Sequence, residues 1–211
     1  MKTTFSFHQL LFVFFAFIGL LLVVRIMYSG SSLYLFLVWN IFLAWIPFLI
    51  SSLFAQLDRK VRWKQLLVFC CWLTFFPNSL YIVTDLIHLE IASTVPKWFD
   101  AVLLFSSSMA GLMMAFASLY RVEKYLQRII DIKFIPFSIL AILFLGSFGV
   151  YLGRFLRWNS CDILSNPLQL LFSIGHRVIS PIEHANTWGI TVVFTIFFYL
   201  LYVSIKKCPA I

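Results

Sequence analysis

The chain is 211 residues long, 62% apolar and 19% aromatic, and carries 16 basic and 8 acidic side chains for a formal net charge of +8. Only 11% of it is charged, whereas a water-soluble domain of this size covers itself with roughly a quarter, so a soluble globular protein is excluded. A disulfide scaffold and a disordered chain are excluded by the same composition, with four cysteines and a high apolar content, and an integral membrane protein remains.

About 20 apolar residues in a helix cross the hydrocarbon core, and charge-free stretches of that length predict six spans, at about 6–24, 33–54, 65–84, 101–120, 134–153 and 186–205. The first could be mistaken for a cleaved leader because Lys2 precedes it. Its uncharged run, Thr3 to Val24, is longer than a signal-peptide core and no A-x-A site follows, so it reads as a retained span. Ser29-Gly30-Ser31-Ser32 is a breaker cluster and reads as the loop before the second span. In the third span Phe75-Phe76-Pro77-Asn78-Ser79 predicts a kink, since proline removes a helix hydrogen bond. Ser107, Gly111 and Ala115 in the fourth span, and Gly149 and Gly153 in the fifth, have the four-residue spacing of small residues that lets helices approach closely in lipid. The segment 154–185 contains an uncharged piece, Ile163 to Gly175, too short to cross, and is expected to lie in the interface or to re-enter the bundle. The fold expected is a single all-α domain over 1–211, a polytopic transmembrane helix bundle without strands. Cys70, Cys71, Cys161 and Cys208 read as small packing residues rather than as a disulfide framework.

Threading six spans puts eleven of the basic residues against three acids on one face, and five against five on the other, so the first face carries the whole net charge of +8. The positive-inside rule makes that face, with both termini, cytoplasmic and the chain a multi-pass protein of the cell membrane. The basic pI near 9.5 is then a consequence of insertion, and a nucleic-acid partner is not expected. The expected partners are the lipid bilayer, an anionic lipid or small anion, and a homo-oligomer or another membrane protein.

Chemistry-bearing residues concentrate on the outer side. Asp85 and His88, at i and i+3 directly after the kinked span, would share a helical face and offer one carboxylate and one imidazole for proton transfer or metal binding. They are the candidate catalytic pair, and with His176 and His184 the candidate metal ligands. Two ligands at one spacing do not define a coordination sphere, so no metal and no cofactor is assigned. Arg154 and Arg157, also at i and i+3, suit a phosphate or carboxylate. The equal alternative is an internal ion-pair clasp with Asp85, Asp100 or Asp162. Asp162, Asp100, Asn159 and Asn78 complete the candidate binding set with the two arginines, and Asn78 would cap the broken helix or line the polar site. Asn40, an amide in hydrocarbon, is expected to hydrogen-bond across to another helix.

The blocks Val38-Trp39-Asn40-Ile41-Phe42-Leu43-Ala44-Trp45-Ile46-Pro47-Phe48, Phe75-Phe76-Pro77-Asn78-Ser79-Leu80-Tyr81-Ile82-Val83-Thr84-Asp85-Leu86-Ile87-His88-Leu89, Trp98-Phe99-Asp100 and Gly153-Arg154-Phe155-Leu156-Arg157-Trp158-Asn159-Ser160 with Asp162 resemble those of a bacterial multi-pass membrane family catalogued as domain of unknown function 1361. That resemblance implies the same topology and polar residues and names no activity. Three functions stay open: an outward-facing site for an anionic ligand or lipid head group, with binding or transport; a membrane-embedded hydrolase or transferase acting on lipid or envelope substrate; and an accessory protein whose outer cluster is an ion-pair clasp. No HExxH or GxSxG signature supports the second.

Overall fold

The computed structural model describes residues 6–56, 62–90, 94–158 and 165–208. Among them the chain is helical, with no strand: α1 (Phe7–Ser29), α2 (Phe36–Ser52), α3 (Arg62–Tyr81), α4 (Lys97–Leu126), α5 (Ile135–Phe155), α6 (Pro167–Ile179) and α7 (Ala185–Lys207). Short 3-10 segments follow α2 (Leu53–Ala55) and precede α5 (Ile132–Phe134), and a longer one, Ile82–Glu90, continues α3. Six of these stretches are long and apolar enough to cross a membrane: Phe7–Ser29, Phe36–Leu53, Trp63–Glu90, Lys97–Leu126, Ile132–Phe155 and Ala185–Lys207.

Several spans run past the charges at which the sequence reading ended them. The first passes Arg25 to Ser29, and the fourth takes in Lys97, Asp100, Arg121, Glu123 and Lys124. Counting apolar residues stops at the first charge, but a charge that meets its partner inside the bundle does not end a helix. α1 opens on a capping box, in which the Ser6 hydroxyl accepts from the Gln9 N–H while the Gln9 side chain accepts from Ser6. It closes on Gly30, whose φ of 65 supplies the left-handed turn.

α4 is the axle of the bundle. Of its most apolar window 72% is buried, against 22% for α1 and for α7, so the outer helices present most of their surface to lipid. Its small residues Ser107, Ser108, Gly111, Ala115 and Ser118 are buried, which allows neighbours to come close. The hydroxyls of Ser107 and Ser118 satisfy carbonyls of their own helix at 2.9 and 2.8 Å. α2 packs against α3 and α4, α3 against α5, α1 against α4, and α5 against α7.

Proline at 77 stays inside α3, and its ring occupies the notch over Gly149 of α5. A Cβ at that glycine would stand 2.5 Å from the Pro77 Cγ. Gly146 faces Phe76 and Leu80 in the same way, and Gly111 of α4 faces Ile82 and the Ser79 carbonyl. Beyond Pro77 the α3 ladder tightens into 3-10 winding at Ile82. Two hydroxyls hold that transition, since Thr84 donates to the Tyr81 carbonyl at 2.6 Å and Ser108 of α4 to the Ile82 carbonyl at 3.1 Å. Gly149→Ala is therefore expected to lower stability in detergent by about 1–3 kcal/mol through overpacking. Gly19→Ala, where nothing lies within 4 Å and alanine favours the helix, should not lower the melting temperature; a thermal scan of both variants checks the contrast.

Candidate functional site

The 3-10 segment places the candidate pair. At three residues per turn, positions i and i+3 eclipse, so Asp85 and His88 project one above the other toward the end of α5. There Arg154, in the last turn of α5, meets both. One terminal guanidinium nitrogen donates to Asp85 Oδ1 at 3.3 Å and to the Tyr81 hydroxyl at 3.1 Å. The other donates to the Thr84 carbonyl at 3.1 Å and faces His88 Nε2 at 3.0 Å. A guanidinium has no lone pair to offer, so Nε2 accepts and the imidazole proton sits on Nδ1. Asp85 Oδ2 accepts from the Asn40 amide at 2.7 Å, which meets the expectation that Asn40 reaches to another helix. The Asp85 side chain is 1% exposed and that of Arg154 13%. The positive charge also lies at the C-terminal end of α5, where the helix dipole favours it.

Asp100 belongs to a second pair at the same end of the bundle. Its Oδ1 accepts from Arg25 Nε at 2.8 Å and its Oδ2 from Arg25 Nη2 at 3.3 Å, with both side chains buried. This ties α1 to the first turn of α4, where a carboxylate also suits the helix N-terminus. The Arg25 guanidinium sits 4.2 Å above the Tyr34 ring, and the Tyr34 hydroxyl donates to the His88 carbonyl at 3.0 Å. Burial first, then the Asp100 carboxylate, pushes the Tyr34 phenol above its ordinary pKa, which keeps it protonated as a donor. Tyr34 thus joins the two ion pairs into one polar layer.

The other predicted residues separate from this layer. Arg157 is exposed with a left-handed φ of 60 and, among the described residues, is not in the Arg154 hydrogen-bond set. Asn78 lines a small notch of about 90 Å³ with Trp39, Asn40, Leu43, Tyr81, Gly153 and Trp158. Asn159 and Asp162 lie outside the described residues. His176 and His184 come together, Nδ1 to Nε2, at 2.8 Å at the junction of α6 and α7.

Sequence reasoning missed Arg25, which counted only as an outer charge; its position in an apolar run four residues before a loop was the available signal. It also missed Glu123 at the opposite end, buried with its Oε2 accepting from Tyr202 at 2.5 Å and its Oε1 bonded to Lys206 and Gln127.

The chain belongs to the DUF1361 family, described as a protein of unknown function, whose model matches residues 39–201. No curated protein and no solved structure matches the chain.

Breaking a buried pair leaves an uncompensated charge, whereas replacing both partners by apolar groups is often neutral or stabilising. Asp100→Asn is expected to cost about 3–5 kcal/mol, and Arg25→Met with Asp100→Leu to recover most of that loss. Equilibrium unfolding of the two variants in detergent measures both.

Proposed function

We propose that this integral membrane protein is a non-catalytic accessory component of the cell membrane, with both termini cytoplasmic, and that the Arg154 layer is a clasp holding the outer ends of α2, α3 and α5 in one geometry. One observation carries the reading: the terminal nitrogens of Arg154 are already engaged by Asp85, Tyr81, the Thr84 carbonyl and His88. An incoming phosphate or carboxylate would have to displace these partners and would meet the Asp85 carboxylate beside them. The sidedness rests on the positive-inside distribution of the basic residues.

The same geometry weighs against Asp85 and His88 as a hydrolytic metal pair. Guanidinium nitrogens stand 3.3 and 3.0 Å from the atoms that would ligate, so Arg154 occupies the space between them. The binding reading keeps one specific support, the notch beside the clasp, whose amides and ring hydroxyl come from Asn40, Asn78 and Tyr81. About 90 Å³ takes a small neutral hydrogen-bonding group better than a lipid head group, since one water in the liquid takes about 30 Å³.

Comparing Arg154→Ala with the unaltered protein in detergent, with and without inorganic phosphate, tests the clasp. The variant should lose about 3–5 kcal/mol of stability, and phosphate should not shift the melting temperature of the unaltered protein. A phosphate-dependent rise in the unaltered protein, abolished by a variant that melts normally, would overturn the clasp in favour of an anion site.

A further inference from the structure

Away from the clasp, three donors of metal-binding type converge where α6 hands over to α7. His176 lies in the last turn of α6, and Glu183 and His184 follow in the connection to α7. One ligand atom from each lies within 4.8 Å of the others. We infer that His176, Glu183 and His184 form a site for a divalent transition-metal ion of the zinc class, which pins the end of α6 to the start of α7.

The donor set is two imidazole nitrogens and one carboxylate oxygen, which suits a borderline ion with a water in the fourth position. The backbone already aims the donors. The His184 N–H donates to the Ser180 carbonyl at 3.3 Å, and its own carbonyl accepts from the Thr187 N–H at 2.9 Å, so it stands at the very start of α7. The Trp188 indole donates to the Arg177 carbonyl at 3.2 Å and fixes α7 to α6 from the adjacent turn. Trp188 in turn stacks on Phe148 of α5 at 5.7 Å, so the hairpin is referenced to the bundle.

Electrostatics agree. Glu183 makes no ion pair among the described residues. Arg177, the adjacent cation, donates one turn back along α6 to the Ser173 carbonyl at 2.6 Å. The two imidazole nitrogens stand 2.8 Å apart, the span of a shared N–H···N bond. Two nitrogens on one tetrahedral zinc ion at about 2.0–2.1 Å stand about 3.4 Å apart. Replacing the shared proton by the metal therefore asks the rings to part by roughly half an ångström and the Glu183 oxygen, within 4.8 Å of both, to close in, side-chain adjustments at exposed or half-buried positions.

The ligand atoms are exposed or half-buried and belong to a short hairpin, so the site can be removed without disturbing the core. The full chain, purified in detergent through a histidine-free tag and stripped with chelator, is titrated with zinc chloride by calorimetry. One zinc per chain is expected. His176→Ala and His184→Ala should each abolish that stoichiometry, Glu183→Gln should weaken binding by about tenfold or more, the penalty that even supporting ligand contacts carry, and His8→Ala, at the exposed start of α1, should leave it unchanged. As a measurement independent of variants, cobalt(II) added to the unaltered protein should give the intense visible absorption of tetrahedral coordination. Absence of saturable zinc binding, absence of that band, or zinc binding that survives both histidine substitutions would overturn the inference.

Discussion

A guanidinium taken out of water inside a helix bundle must find its hydrogen-bond acceptors in the protein, and among the described residues the terminal nitrogens of Arg154 find theirs on Tyr81, Thr84, Asp85 and His88. That requirement explains local features that would otherwise look arbitrary. The chain after Tyr81 winds as 3-10 rather than α, which stacks Asp85 over His88 and leaves the Tyr81 hydroxyl and the Thr84 carbonyl within reach of the same cation. Close packing of α3 on α5, with the Pro77 ring seated over Gly149, sets the distance at which the arginine can span the gap. Asn40 then satisfies the remaining carboxylate oxygen from α2. A buried carboxylate with one free oxygen is expensive, and the amide removes that cost.

Both ends of the bundle solve the same problem with different residues. At the end bearing the clasp, Arg154–Asp85 and Arg25–Asp100 join α5 to the α3 extension and α1 to α4. At the other end Glu123 of α4 is met by Tyr202 and Lys206 of α7, and Arg121 donates to the Phe48 carbonyl and Ser51 of α2 while lying over the Phe48 ring. α4 contributes to three of these contacts, which fits its place as the most buried span. In lipid the hydrophobic effect does not drive helix against helix, so packing and polar contacts decide which neighbours meet. The buried charges therefore act as address labels as well as fasteners, and each recognises a residue far away in the chain.

The six crossings were legible because apolar run length is a one-dimensional property and the bilayer reads it directly. Their ends were not, because Arg25, Asp100 and Glu123 look like stop signals until their partners are known. The same limit governs the site. Asp85, His88 and Arg154 were recognisable as one polar group, since a three-residue spacing survives in either helical winding. Arg157, at the same spacing from Arg154, is not in that set, because α5 ends at Phe155 and the backbone turns left-handed at Arg157. A spacing argument holds only while the helix lasts. Asp100 was one of three acids that an ion-pair clasp with Arg154 and Arg157 could use, yet its partner is Arg25 of α1, a pairing across 75 residues that no local pattern encodes.

The two polar assemblies at this end of the bundle differ in the way that separates a fastener from a ligand site. In the clasp the terminal nitrogens of Arg154 face Asp85, Tyr81, Thr84 and His88, the groups are largely buried, and each positive charge lies against a carboxylate of the chain. Such a network is rigid because any new partner must first break an old one. At the α6–α7 junction the donors converge, but two nitrogens share one contact and a carboxylate stands beside them outside any ion pair among the described residues. That arrangement has coordination capacity left over. The α6 helix presents Leu168, Leu171, Phe172 and Ile179 outward with no buried residue of its own, so its position depends on what holds its ends. A metal at that junction would fix the end of α6 to the start of α7, as the clasp fixes the ends of the spans.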